Sequence, residues 1–504
     1  MFRWKTLAAL AAVVALGLTG CSSNGSSSGS SQTLTLGLLV PATTFSAQDS
    51  NWANESPYMQ AVYDTLLKAD PKGDIKPGLA TKWAYNADNT VLTLTLRDGV
   101  KFSDGTAFTA DVAAQNLTRF RDGNSPNKTN LVDLASAKAV DPTTVQLTLK
   151  QSNPALLTYL TQNAGLQESP KAFTSSTIKT DPVGSGPYTL DTGKTVVGTS
   201  YVFDKNPKYW DPSSVYYDKI VMNVYADPTS LLNAIKGGQV NASNTPNNND
   251  LDQIKASGFT VWPLELNWNG LILLDRAGTM NPALKDVRVR QAINYAFDTK
   301  ALLKAVGQGY GTPTTQVFPK SSVGYDSSLD SYYAYNPSKA KSLLAAAGYA
   351  KGLTLSMPSS NLLGSTVWTL IGQQLKDVGI TVNFTDAGNN FITDMLAPKY
   401  PATYMILQQD PDWALINFQI SKDATFNPFH YSDPKVDSLI ATVHNGSKSE
   451  SDAAVKALNK YVVEQAWFAP WYRMQSSFVS DAKTKVTVQT GNAYPYLWNI
   501  VPTS

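Results

Sequence analysis

The sequence predicts an α/β protein of two or three domains. Three observations carry that reading. At 504 residues the chain exceeds what one hydrophobic core usually supports. Strand-like alternation and helix-like periodicity take turns along it, the pattern of sheets covered by helices. Cys21 is the single cysteine, so the body folds by burial rather than by disulfides, which a chain of this length can do.

The N-terminus comes first. Arg3 and Lys5 make a short positive segment, and residues 6–18 form an apolar run of about 13 residues. That run is short for a membrane span and right for a signal peptide. It ends in Leu18-Thr19-Gly20-Cys21, which resembles the bacterial lipobox, where the cysteine becomes residue one and carries diacylglycerol on its sulfur. Residues 1–20 are therefore expected to be a lipoprotein signal peptide. Residues 21–32, nearly all Ser, Gly and Asn after Cys21, are expected to be a flexible tether from a lipid anchor, held by two or more acyl chains. The formal net charge is +2, and losing Arg3 and Lys5 brings it to about zero. That balance argues against a nucleic-acid partner, which calls for a basic excess.

In the body, Val91-Leu-Thr-Leu-Thr-Leu-Arg97 alternates strictly, with Leu92, Leu94 and Leu96 on one face: a half-buried strand. Asp98-Gly99 and Asp104-Gly105 turn the chain, and Thr109 caps a helix running toward Phe120. Val145–Lys150 repeats the strand pattern. Asp227-Pro228 and Asn336-Pro337 open helices that stop at Gly237-Gly238 and Gly348, following the usual order of cap, proline and terminal glycine. Val287 to Phe297 reads as an amphipathic helix, and Asp298 caps the next one, ending at Gly307. Residues 237–250, rich in Gly and Asn, read as a surface loop.

The order of several blocks then becomes recognisable. Tyr63-Asp-Thr-Leu-Leu-Lys-Ala-Asp, Ile75-Lys-Pro-Gly-Leu-Ala-Thr-Lys-Trp83 and Leu92 through Thr106 form the first. Gly184-Ser-Gly-Pro-Tyr188 with Asn206-Pro-Lys-Tyr-Trp210 form the second. Asp286-Val-Arg-Val-Arg-Gln-Ala-Ile-Asn-Tyr-Ala-Phe-Asp298 is the third, and Tyr335-Asn-Pro-Ser-Lys-Ala-Lys-Ser-Leu-Leu344 with Ala347-Gly348 the fourth. The set resembles family 5 of the bacterial extracellular solute-binding proteins, the dipeptide, oligopeptide and nickel-binding group.

That resemblance implies a periplasmic-binding-protein-like fold (class II, cluster C): two α/β lobes around a ligand cleft and an extra inserted domain. The expected divisions are 33–65, 182–268 and 475–504 for domain I, 66–181 for domain II, and 269–474 for domain III. The implied role is capture of a small solute by hinge closure and delivery to ABC permease subunits driven by cytoplasmic ATPases. A short peptide is the expected ligand and a short oligosaccharide the alternative, with no cofactor. The implied location is the outer face of the cytoplasmic membrane, on the periplasmic side in a Gram-negative cell. A monomer is expected, since each capture needs one mobile cleft.

Family peptide binders place an Asp ahead of an Asn/Ser-Phe pair to hold the ligand's α-amino group. Here the segment is Leu407-Gln-Gln-Asp-Pro-Asp-Trp-Ala-Leu-Ile-Asn-Phe418. One register puts Leu407 at the anchor, where no ion pair can form; the other makes the anchor Asp410, with Asp412 behind it. Trp413 and Trp268 are candidates to stack on a ligand, and either can equally be core. Asn269, Gln408 and Gln409 are candidates for bidentate hydrogen bonds.

Enzyme readings find little support. Gly193-Lys194-Thr195 lacks the upstream glycine of a phosphate loop, since Tyr188 stands there. Beyond the tether no Gly-x-Ser-x-Gly motif occurs, and no His-Glu-x-x-His motif occurs at all, and His430 and His444 are the only histidines, so no metal site is expected. An extracellular hydrolase and a surface sensor are the alternatives of a different class. The first would turn its ligand over; the second would differ in its partner genes.

Overall fold

The structure is a computed structural model that describes residues 32–503 except residue 246. Cys21, the leader and the first eleven tether residues lie outside the described residues. Among the described residues no helix is long and apolar enough to cross a membrane.

The largest sheet has nine strands. Its order is Ala402–Gln408, Thr260–Leu273, Phe468–Ser480, Ala242–Thr245, Thr33–Leu38, Lys219–Val224, Ser200–Lys205 and Tyr188–Leu190, with Gly311–Pro313 added on Phe468–Ser480. Two strands are unusually long. Thr260–Leu273 and Phe468–Ser480 pair antiparallel from Thr260 opposite Ser480 to Ile272 opposite Phe468. The register slips between Glu265 and Asn267 and again between Asn269 and Gly270. Beyond the first slip, Asn267–Leu273 also pairs with Ala402–Gln408. Extra residues in a ladder bend and twist it, and across these irregularities the strand pair passes from the buried cluster of Phe478 to that of Trp268.

Three large buried clusters make up most of the core. One gathers Leu34, Leu36, Tyr58, Phe203, Met222, Phe478 and Tyr496. A second lies in a four-stranded sheet, where Leu92, Leu94 and Leu96 pack with Val145, Leu147 and helix residues Leu117 and Phe120. The third runs from Trp268 through Ile293, Ile371, Tyr404 and Leu458 to Tyr472.

Local chemistry matches the punctuation of the sequence. Leu92, Leu94 and Leu96 are fully or nearly fully buried while Thr93 and Thr95 are half-buried. Thr109 Oγ1 accepts from Val112 N at 3.4 Å, Asp227 Oδ1 from Thr229 N and Ser230 N, and Asn336 Oδ1 from Lys339 N at 2.9 Å. Gly348 ends its helix with a φ of 93°, a conformation cheap only for glycine. Arg288 pairs with Asp286 and Arg290 is buried, donating to the carbonyls of Leu284, Lys285 and Gln465: both fix backbone. One expectation is corrected. Residues 237–250 are not simply a loop, because Ala242–Thr245 is a strand inside the large sheet. Its short polar residues hid it; pairing on both edges, not side-chain hydrophobicity, holds it there.

The first two recognised blocks meet around Asp64. The buried Asp64 carboxylate accepts from Tyr209 Oη (2.8 Å), Trp210 Nε1 (2.8 Å) and Ser185 Oγ (3.2 Å). Asn206 Nδ2 donates to Gly186 O at 3.0 Å. Gly186 N donates to Val62 O at 3.0 Å. The motifs thus clamp two crossing backbones together.

Candidate ligand-binding cleft

Two contiguous pockets, of about 160 Å³ and about 440 Å³, share Pro319, Ser321, Gln409, Gln489, Thr490 and Gly491. Together they form one cleft, near the size range of ligand sites. Its walls come from every part of the fold: Trp52 and Tyr496, Thr158 and Thr161 of the inserted part, Pro263–Glu265 at the strand crossing, and Ser322, Asp412 and Arg473 of the third cluster's lobe.

Gln409 sits at the seam of the two pockets. It follows the strand Ala402–Gln408, its backbone N–H donates to Leu266 O at 2.8 Å, and its Nε2 donates to Val317 O at 3.0 Å. These bonds fix the side chain and leave Oε1 buried without a partner among the described residues, an acceptor waiting for a donor. Asp412 lines the first pocket and accepts from the Ser322 hydroxyl; burial raises its pKa.

Asp410 lies between two lining residues, Gln409 and Pro411. Among the described residues its carboxylate has no hydrogen-bond or ion-pair partner, and burial alone pushes its pKa up to about 7. Its charge helps burial raise the hydroxyl of Tyr159, on the inserted part, to about 12.

The second pocket holds two cations. Lys320 Nζ pairs with Glu265 at 3.0 Å, and Thr312 Oγ1 donates to the same carboxylate at 2.5 Å. Arg473 is 0% exposed; its Nη2 donates to Asp330 at 2.8 Å, while Nε and Nη1 are buried without partners. Lys320 and Arg473 each face a carboxylate, Glu265 and Asp330, so this half of the cleft holds two ion pairs. Asp412 against Lys72, with Asp410 adjoining, leaves the other half negative.

Of the residues named from the sequence, the structure brings Gln409 into the cleft and Asp410 to its edge. Trp268 is not brought there: it is fully buried, donates from Nε1 to Gln419 at 3.0 Å and packs edge-on against Phe468. Asn269 is buried beside it. Gln408 points to solvent and offers its backbone carbonyl to Gln419. Trp413 stacks on His444, with ring centroids 4.7 Å apart at 11°. His430 is exposed, away from the cleft, with a φ of 50°. Lys320, Arg473, Glu265 and Thr158 were invisible to the sequence reading, because four distant segments supply them and none carries a motif.

A pH dependence follows from two buried carboxylates. Asp410 and the buried Glu168 both titrate at about 7 in the fold, above an unfolded value near 4. Between those values the folded form holds more protons than the unfolded form, so stability falls as pH rises. The unliganded protein is expected to melt higher at pH 5 than at pH 7.5, and Asp410→Asn to flatten that slope by about 2 kcal/mol. Thermal melts across that range check it.

The family model "Bacterial extracellular solute-binding proteins, family 5 Middle" matches residues 74–440. The chain belongs to this family. The glutathione-binding protein GsiB of Escherichia coli (strain K12) is 30% identical over 471 residues, covering 88% of each chain. GsiB of Shigella flexneri matches equally, at 30% over 471 residues and 88% of each. Among solved structures, HbpA2 from Haemophilus parasuis superposes with a TM-score of 0.83 at 23% identity, over 94% of this chain and 100% of that one. The murein tripeptide binding protein MppA, in its unliganded open form, gives 0.81 at 20% identity, over 94% and 97%. DppA from Helicobacter pylori with the peptide STSA gives 0.72 at 19%, over 94% and 98%. These three share the fold, a periplasmic-binding-protein-like pair of α/β lobes. This family 5 member is a solute-binding protein of the extracellular class.

Proposed function

We propose that this family 5 protein captures a short peptide by closing its lobes and delivers it to the permease of an ABC importer powered by cytoplasmic ATPases. One observation carries the choice of ligand: the cleft has a carboxylate unpaired among the described residues, Asp410, at the edge of one half, and the cations Lys320 and Arg473, each beside a carboxylate, in the other. A peptide zwitterion matches that polarity, with its ammonium toward Asp410 and its carboxylate toward Lys320. Gln409 Oε1 accepts a ligand N–H between them. Glutathione for GsiB, a murein tripeptide for MppA and STSA for DppA are short peptides, whereas other structures of the same fold hold nickel–histidine, Fe(III)-EDTA, agropinic acid or mannopinic acid. The protein works as a monomer, binds without turnover, and is held outside the cytoplasmic membrane by lipid on Cys21.

The test uses the chain from Ser22 onward. Its melting temperature is measured with di- to pentapeptides, glutathione, cello- and xylo-oligosaccharides, and nickel with histidine. A ligand at 100 times its Kd adds about 2.7 kcal/mol. Free peptides are expected to raise the melting temperature, and N-acetylated peptides to lose most of the effect. Stabilisation by sugars alone would sink the peptide reading.

A further inference from the structure

The inserted part and the third cluster's lobe are joined to one another only through the rest of the fold, yet they touch at a reciprocal contact. Ser152 Oγ donates to His444 O at 2.8 Å, and His444 Nε2 meets Ser152 O across 292 residues of sequence. Each residue is thus both donor and acceptor to the other. Because the His444 carbonyl lies in the last turn of the helix Pro434–Asn445, where carbonyls lack helical partners, Ser152 also serves as its cap.

Both sides of the contact are held in advance. On the inserted part, Asp133 accepts from Gln151 Nε2 (2.9 Å) and from Asn153 Nδ2 (3.1 Å), fixing the residues on either side of Ser152. On the other lobe, the His444 ring lies flat on Trp413. Trp413 directly follows Asp412, which lines the cleft and holds the Ser322 hydroxyl. A continuous path of contacts therefore runs from the cleft wall to the inserted part.

We propose that Ser152 and His444 form a latch between the inserted domain and the third lobe, with Trp413 linking its engagement to occupancy of the cleft. The inference goes beyond the peptide reading and holds for any ligand that closes the lobes. A contact made only when the lobes are shut stabilises the shut state alone, so it shifts the open–closed balance and slows release. Opening must break both hydrogen bonds, whereas first encounter with an open cleft meets neither. His444 and Ser152 are positioning residues here and touch no ligand.

The test reads closure directly. The chain from Ser22 onward contains no cysteine, so Lys138→Cys and Lys456→Cys, both exposed and one on each side of the latch, accept a dye pair for energy transfer. Trialanine and glutathione are the probes. Ser152→Ala is expected to lower transfer and raise koff about fivefold, the value of one net hydrogen bond, and His444→Ala about tenfold, with kon changed less than twofold. The double variant is expected to match His444→Ala, since the two halves of one clasp do not add. Melting temperatures verify that each variant folds. Unchanged transfer and koff beside a lowered melting temperature would overturn the latch and leave only packing. Should neither probe bind, transfer is compared in the unliganded protein. No difference there between the parent and either variant also overturns it, and a shift toward lower transfer supports it.

Discussion

Asp410→Asn is expected to weaken peptide binding about 100-fold, and Asp412→Asn only about tenfold. Truncating one partner of a buried, hydrogen-bonded charge pair costs on the order of 2–5 kcal/mol. Asp410 meets that description once an ammonium arrives, because among the described residues nothing else engages its carboxylate. Asp412 already holds the Ser322 hydroxyl, so a ligand gains less from it. The acidity sharpens the expectation. Free Asp410 titrates at about 7, and only its ionised form pairs with an ammonium. Affinity should rise about tenfold per unit up to pH 7, level off, and fall once the peptide's own amine, near 8, loses its proton. Asp410→Asn should abolish the rising limb and keep the fall. Calorimetric titration with trialanine at several pH values measures both; an unaltered rising limb in Asp410→Asn would remove this residue from the anchor.

The second large effect concerns folding. Gly184→Ala is expected to destabilise the protein by about 3 kcal/mol, at the upper end for overpacking. A Cβ on Gly184 would stand 1.9 Å from Val62 O and 2.5 Å from Tyr63 Cδ1. The conflict is with backbone at the junction that Asp64 ties together, so no flexible side chain can swing clear. Gly193→Ala provides the contrast, since its Cβ would meet nothing nearer than Asp191 Oδ1 at 3.4 Å. Urea unfolding of the two variants should show an early midpoint for the first and a near-parental one for the second. Similar midpoints would mean that the junction yields more than its geometry implies.

These cases show what could be read in the sequence and what could not. Alternation, caps and proline–glycine punctuation are local, so Val91–Leu96 and the helices opened by Asp227 and Asn336 were legible. The motif Gly184-Ser-Gly-Pro-Tyr188 was recognisable, but its reason emerges only where Val62 approaches Gly184. Ala242–Thr245 was misread because both of its edges are held by strands distant in sequence. Gln409 and Asp410 stood out through their segment and lie at the cleft, while Trp268 lies in the core, since nothing local separates a core indole from a cleft indole. The cationic half of the cleft left no trace, because Lys320 and Arg473 lie 153 residues apart and meet only across a folded sheet.

The placement of Phe468–Ser480 in the middle of the large sheet sets an order of assembly. That strand pairs with Ala242–Thr245, Thr260–Leu273 and Gly311–Pro313. Leu497 N then reaches back to Gln60 Oε1 across 437 residues. Until residues 468–500 arrive, the strands laid down earlier keep open edges and the first core lacks Phe478 and Tyr496. Closing so distant a loop is slow, and a nascent chain therefore stays unfinished for most of its synthesis. For a protein whose place is outside the cell, that delay is useful: it keeps the chain threadable through a translocation channel until its final strand can complete the sheet on the far side.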